Sequence, residues 1–165
     1  MTREEMARLI AEGLIETGIE GGYDAVSCST AGDYPSLGVS QWEGGRADDL
    51  LRMIPGGSKY IGREYSDIEE ADELEALSEL LDSPEGQEAQ IQKLSEDCLD
   101  YVDELLDVAG FDDPACIVCA GMWCPTSTSV VCRFVYNRLR RGYDMNDIEV
   151  CAGIRLSISI SELKQ

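Results

Sequence analysis

The chain has 165 residues, with 33 acidic and 13 basic side chains, no histidine and a formal charge of −20. The length suits one domain with a real core, and an apolar share of 44% argues against global disorder despite the charge. That charge argues against broad nucleic-acid binding and docking on anionic lipid, and the lack of histidine excludes Ser-His-Asp and Cys-His catalysis and imidazole-bound zinc.

The first residues, MTREEMARLIAEG, contain no basic start followed by an unbroken apolar run, and no stretch approaches the ~20 apolar residues of a membrane span. The expectation is synthesis in a cytoplasm without a secretory signal. Thr2-x-x-Glu5 fits a capping box, and Met6, Leu9, Ile10, Gly13 and Leu14 form an apolar stripe. They predict a first helix that stops near Gly18 to Gly22. Residues 23–39, rich in Ser, Thr, Gly and Asp, predict a small hairpin or structured loop. Ser40-x-x-Glu43 fits a second capping box, opening a helix that Pro55-Gly56-Gly57 ends. Ser66-x-x-Glu69 predicts a third helix to about Asp82, Ser83-Pro84 a fourth ending at Gly110, and Asp113-Pro114 a fifth broken by Pro125. A sixth runs from about Thr126 to Arg141 and stops at Gly142, while 146–163 is ambiguous between helix and strand. The fold class expected is α+β, mostly α, with six or seven helices and a small β-hairpin near the N-terminus.

The charge is concentrated. Residues 64–113 hold nineteen acids and one base, Lys93, for a net −18, and both flanks are close to neutral. Ile68, Ala71, Leu74, Leu77, Leu80 and Leu81 recur at helical spacing, as do Ile91, Leu94, Cys98, Tyr101, Leu105 and Val108. The segment therefore reads as amphipathic helices with acidic outer faces. Such a face keeps a protein soluble, or docks a basic partner. Arg133, Arg138, Arg140 and Arg141 cluster at the end of the sixth helix, where positive charge complements the helix C-terminus. Seven cysteines without a signal argue against a disulfide framework. Cys116-x-x-Cys119 could be a zinc or redox pair. Its apolar surroundings, Ile117, Val118, Ala120, Met122 and Trp123, favour small core residues instead.

The candidate chemistry lies in residues 14–42. An amphipathic helix is expected to end in Glu20, followed by a polar turn with Asp24 and Asp33, then Ser36-Leu37-Gly38, and then a new helix opening with Gln41-Trp42. A glutamate at a helix end beside the core can have its pKa raised by desolvation, as a general acid requires. A carboxylate or hydroxyl on a facing loop can hold a water or stabilise an oxocarbenium-like state. Tyr23, Tyr34 and Trp42 could offer stacking faces to sugar rings, although Trp42 alone reads better as core and Asp33 equally well as an Asx-turn residue.

Glu20-Gly21 and the later Ser36-Leu37-Gly38-Val39-Ser40 resemble the Glu…Asp…Thr-Ile-Gly pattern of phage-type lysozymes. The longer series Glu20-Gly21-Gly22-Tyr23, Ser36-Leu37-Gly38, Gln41-Trp42, Gly44-Gly45-Arg46-Ala47 and Leu50-Leu51 is similar to a lysozyme-like and chitosanase-like group of glycoside hydrolases. That group occurs in phage endolysins, tail-associated lysins and cell-wall hydrolases of Gram-positive bacteria. The resemblance is strongest over residues 20–54, the order of helices across the rest is compatible with it, and it implies one lysozyme-like domain over 1–165, with the acidic helical segment 64–113 inside it. It implies Glu20 as general acid and Ser36 in place of the threonine that positions the attacking water. Gln41, Trp42 and Arg46 would shape the cleft, with Tyr23 and Tyr34 as further substrate contacts. Neither metal nor cofactor is expected. Two positions depart from the pattern. The residue six before Ser36 is Thr30, which leaves Asp33 or Asp24 as the second carboxylate. Gly121, Cys124 and Pro125 also stand where related lysins carry polar residues.

Two functions are therefore expected. One is a cell-wall glycoside hydrolase cutting β-1,4 linkages of peptidoglycan, or of a related amino-sugar polymer such as chitosan, in a phage particle or released to the wall. Inverting chemistry is favoured if Asp33 or Ser36 holds a water. The other is a non-catalytic acidic protein of phage or mobile-element origin that blocks a basic host protein through residues 64–113.

Overall fold

A computed structural model describes residues 1–18, 21–125 and 127–153. The chain is mostly helical with one two-stranded antiparallel sheet among the described residues. Helix α1 (Arg3–Thr17) precedes strands β1 (Val26–Cys28) and β2 (Pro35–Leu37). Then come α2 (Gly44–Met53), a 3-10 turn (Gly57–Tyr60), α3 (Tyr65–Glu70), α4 (Leu74–Asp82), α5 (Pro84–Leu106), α6 (Pro114–Gly121) and α7 (Thr128–Arg140). Residues 148–153 are helical as well; residues 154–163 of the ambiguous stretch lie outside the described residues. The chain forms two compact units, one of Leu14–Leu94 and one of Met1–Gly13 with the chain from Ser95 on; the division falls inside α1 and inside α5.

In the unit of 14–94, the expected hairpin forms with Val26 opposite Leu37, Ser27 opposite Ser36 and Cys28 opposite Pro35. Its core holds Leu37, Val39, Trp42, Leu50, Leu51, Ile54, Tyr60, Ile68, Leu77 and Leu81, all buried. Two expected capping boxes do not form. Helix α2 starts at Gly44, not Ser40, and the side chain of its N-cap Glu43 caps no backbone N–H. The single helix expected over 66–82 is two, α3 and α4, because Asp72 takes a left-handed conformation (φ +58°) between them. Ser66 N–H and Oγ donate instead to the Asp33 carboxylate, at 2.9 and 2.5 Å, so α3 takes its cap from the hairpin loop.

In the other unit, Thr2 and Glu5 make the reciprocal capping box: Glu5 N–H donates to Thr2 Oγ1 at 3.1 Å and Thr2 N–H to Glu5 Oε2 at 2.7 Å. Met6, Ala7, Ile10 and Ala11 are buried, but Leu9 of the expected stripe is exposed. Asp113 caps α6 by accepting Cys116 N–H at 3.0 Å, with Pro114 in the first turn. Helix α6 ends at Gly121, before the Pro125 expected to break it. Cys98, Cys116, Cys124 and Cys151 are buried and Cys119 is half-buried. Burial pushes the Cys98, Cys116 and Cys124 thiols up to about 12. Arg138 lies over both Phe134 (4.8 Å) and Tyr143 (5.1 Å), so this member of the basic cluster is engaged with aromatic rings.

Candidate functional site

The hairpin gathers most of the motif residues. Leu37 and Trp42 form an antiparallel bridge, Leu37 N–H donating to Trp42 O at 2.9 Å and Trp42 N–H to Leu37 O at 3.0 Å. Residues 38–41 must reverse the chain between them, and both ends of that turn are left-handed: Gly38 at φ +69° and Gln41 at φ +48°. Such a backbone is unusual for a residue with a side chain. Gln41 is held there by its own amide, whose Nε2 donates to Gly38 O at 3.0 Å and whose Oε1 accepts from Ser27 Oγ at 2.7 Å.

Gly21 packs onto this turn. A β-carbon at Gly21 would lie 3.2 Å from Gly38 O, 3.4 Å from Gln41 Nε2 and 2.9 Å from the Ala25 β-carbon. Gly21 of the motif is thus seated on the Gly38…Gln41 turn. Glu20 itself lies outside the described residues. Ser27 and Ser36 are directly opposed in the sheet, so their side chains leave the same face. Ser36 is 3% exposed and donates its hydroxyl to the carboxylate of Glu43, which is half-buried.

Gln90 of α5 pins the same region. Its Oε1 accepts Val39 N–H at 3.0 Å, and its Nε2 donates to Tyr23 O at 3.1 Å and Leu81 O at 3.0 Å. A β-carbon at Gly38 would overlap Gln90 Oε1, so Gly38 serves both the turn and this close approach. Tyr23 is half-buried and fixed through its carbonyl.

Other candidates stand apart. Trp42 is 2% exposed, so its ring packs in the core and presents no stacking face to a sugar; Lys93, itself 7% exposed, has its ammonium 6.0 Å from the ring centre. Asp33 and Tyr34 line a cavity of about 300 Å³ with Pro35, Asp48, Tyr60 and Arg63. Pro35 and Ser36 are successive strand residues and point to opposite faces, so the Asp33 cavity and the Ser36 hydroxyl do not converge. The hydrogen bonds from the Ser66 side chain and backbone hold the Asp33 carboxyl below its usual range. Asp24 is exposed, and its carbonyl accepts from Ser78 Oγ at 2.6 Å. Arg46 is exposed in the first turn of α2, and Thr30 is exposed in the hairpin loop. Gly121 is buried, and a β-carbon there would overlap the Ile10 side chain, so no polar side chain fits at this departure from the lysin pattern.

Sequence reasoning missed Ser27, Glu43 and Gln90. Ser27 had a signal, its place across the hairpin from Ser36. Glu43 carries only the capping-box signal of Ser40-x-x-Glu43. Comparison with protein-family profiles, with curated proteins and with solved structures returned no match. Among the described residues no helix is long and apolar enough to cross a membrane, and no cluster of three or more Cys, Asp or Glu is arranged to hold a metal ion.

Proposed function

We propose that this chain is a glycoside hydrolase that cuts β-1,4 linkages of an amino-sugar polymer, with peptidoglycan as the first substrate and chitosan as its cationic variant. The observation that carries this reading is the seating of Gly21 on the turn of Gly38 and Gln41. It sets Gly21, the residue after Glu20 in the sequence, against the turn that follows Ser36, and this supports the reading that acid-assisted glycoside hydrolysis takes place there. In this reading Glu20 protonates the glycosidic oxygen. Gln41 acts as a positioning residue, because its amide joins the turn to Ser27. Tyr23 is the substrate contact beside this turn, and Asp33 holds the hairpin loop against α3. Incubation of the purified protein with Gram-positive cell walls and with chitosan tests it. Reducing ends should appear with wild type and not with Glu20→Gln. No release from either polymer refutes the reading.

A second reading, an acidic protein that covers a basic host surface, is favoured by the exposed carboxylates Glu69, Glu70, Asp72, Glu75, Glu79 and Asp82 along α3 and α4. It requires salt-sensitive binding that survives Glu20→Gln and is lost on charge reversal of those residues.

A further inference from the structure

We infer that the cavity lined by Asp33 and Tyr60 binds a small organic ammonium ion, a primary amine on a hydrocarbon body. The inference does not rest on the glycosidase reading, because this cavity lies off the strand face opposite Ser36. All of its lining residues belong to the unit of 14–94.

Tyr60 ends the 3-10 turn, is 1% exposed and lines the cavity. Its hydroxyl is buried and has no hydrogen-bond partner among the described residues. Buried tyrosine hydroxyls ordinarily find a partner, because an unpaired one is destabilising. Phenylalanine would fill the same space without that loss, so packing alone does not account for the hydroxyl.

The charge around this hydroxyl selects the ligand. Asp33, Asp48 and Glu64 line the same cavity from the hairpin loop, α2 and the N-cap of α3. The hydrogen bonds from Ser66 hold the Asp33 carboxyl below its usual range, so it is ionised at neutral pH. Asp48 accepts Gly62 N–H through Oδ1 at 3.2 Å, and Glu64 caps no backbone N–H of α3. The cations nearby are engaged within the protein. Arg63 is paired with Glu73 and donates to Asp67 O at 3.3 Å, and Lys59 and Arg63 lie 4.7 and 5.7 Å from the centre of the Tyr60 ring. Four carboxylates therefore face two cations, which favours a positive ligand over an anion.

The lining also decides what kind of cation. Among the described residues no group of three or more carboxylates is arranged to hold a metal ion. The buried lining residues Pro35, Ala47 and Leu51 present hydrocarbon side chains. A hydrated metal ion gains nothing from that floor, whereas an alkyl body is stabilised by leaving water. The half-buried Tyr34 adds an aromatic ring, which attracts an ammonium ion. An ammonium only donates, and it matches the acceptors here, the phenol oxygen and the carboxylates. A volume of about 300 Å³ stands at the low end for small-molecule sites and suits one ring-sized amine.

Two-dimensional amide NMR of the full chain tests the site, with cyclohexylammonium chloride as probe and cyclohexanecarboxylate and cyclohexanol as charge controls. Cyclohexylammonium should shift the amides of Tyr34, Asp48, Gly62 and Arg63 saturably, with half-saturation near about 1 mM, and neither control should. Tyr60→Phe should bind about tenfold more weakly yet melt no lower than wild type, since it sheds an unpaired hydroxyl. Asp48→Asn keeps an acceptor for Gly62 N–H but loses the charge, so it should bind about fivefold more weakly and with less dependence on salt. Three results overturn the inference: no saturable shift up to about 20 mM probe, binding of the carboxylate as tight as that of the amine, or Tyr60→Phe affinity within about twofold of wild type. A lower melting temperature for Tyr60→Phe also overturns it, because the hydroxyl then has a structural partner. None of these outcomes depends on whether the chain cleaves a polymer.

Discussion

Replacement of Gln90 by methionine isolates the energetics of the pin between α5 and the hairpin. Methionine keeps nearly the length and volume of glutamine but neither donates nor accepts strongly, so the core stays filled while three hydrogen bonds disappear. The Val39 N–H is the costly loss, because Val39 is buried and an unsatisfied buried donor costs about 1–3 kcal/mol. The Tyr23 and Leu81 carbonyls, each with a second lone pair, add about 1 kcal/mol apiece. A loss of about 3–5 kcal/mol is expected in urea unfolding, a large part of the 5–15 kcal/mol typical of a native protein. Amide exchange gives the local readout. A cost of 2 kcal/mol at Val39 corresponds to about thirtyfold faster exchange of its N–H. Gln90→Glu separates donor from acceptor: its carboxylate can still accept Val39 N–H but faces two carbonyls with no proton to offer, so it should be at least as destabilised at neutral pH. Gln90→Met within about 0.5 kcal/mol of wild type, with Val39 exchange unchanged, refutes the pin.

The core of the other unit and the acid limb of stability supply two further tests. Gly121→Ala sets a methyl against Ile10 and should cost about 1–3 kcal/mol; adding Ile10→Val should recover part of it, and strict additivity in a double-mutant cycle refutes the contact. Asp33 has a folded pKa below its unfolded value, so its contribution to stability is whole above about pH 4 and is lost as pH falls through the folded pKa. Melting temperature followed from pH 7 downward should therefore fall less steeply below pH 4 in Asp33→Asn than in wild type, and equal slopes refute the cap.

What the sequence made legible was local. The capping box of Thr2 with Glu5 and the Asp113-Pro114 start of α6 involve partners three residues apart, and both form as the spacing predicts. The same kind of pattern misled at Ser40-x-x-Glu43 and Ser66-x-x-Glu69, because Glu43 and Ser66 are engaged by Ser36 and Asp33, residues brought in by the hairpin. Propensity has no term for such partners. Gln90 was invisible for the same reason: its three partners are 9, 51 and 67 residues away, and a glutamine on a helix with an acidic outer face reads as surface. For the candidate site, the order of Gly21, Ser36, Gly38 and Gln41 was readable, and the structure shows why Gly21 and Gly38 bear no side chain. Trp42 was legible as core from its chemistry and not from its place in the motif.

The two units differ in how the chain supplies them. Residues 14–94 are one continuous stretch, so every internal contact of that unit can form once Leu94 has left the ribosome. The other unit joins Met1–Gly13 to residues from Ser95 on, so its earlier segment waits for partners made after residue 94. At roughly 5–20 residues per second, reaching Cys151 after Leu94 takes several seconds. Through that interval Ile10 lacks its contact at Gly121 of α6, while the capping box at Thr2 can already hold the first turn of α1. The hairpin that bears Ser36 and Glu43 can thus be in place before its own polypeptide is finished. The first turns of α1 are where a holdase chaperone would find this nascent chain.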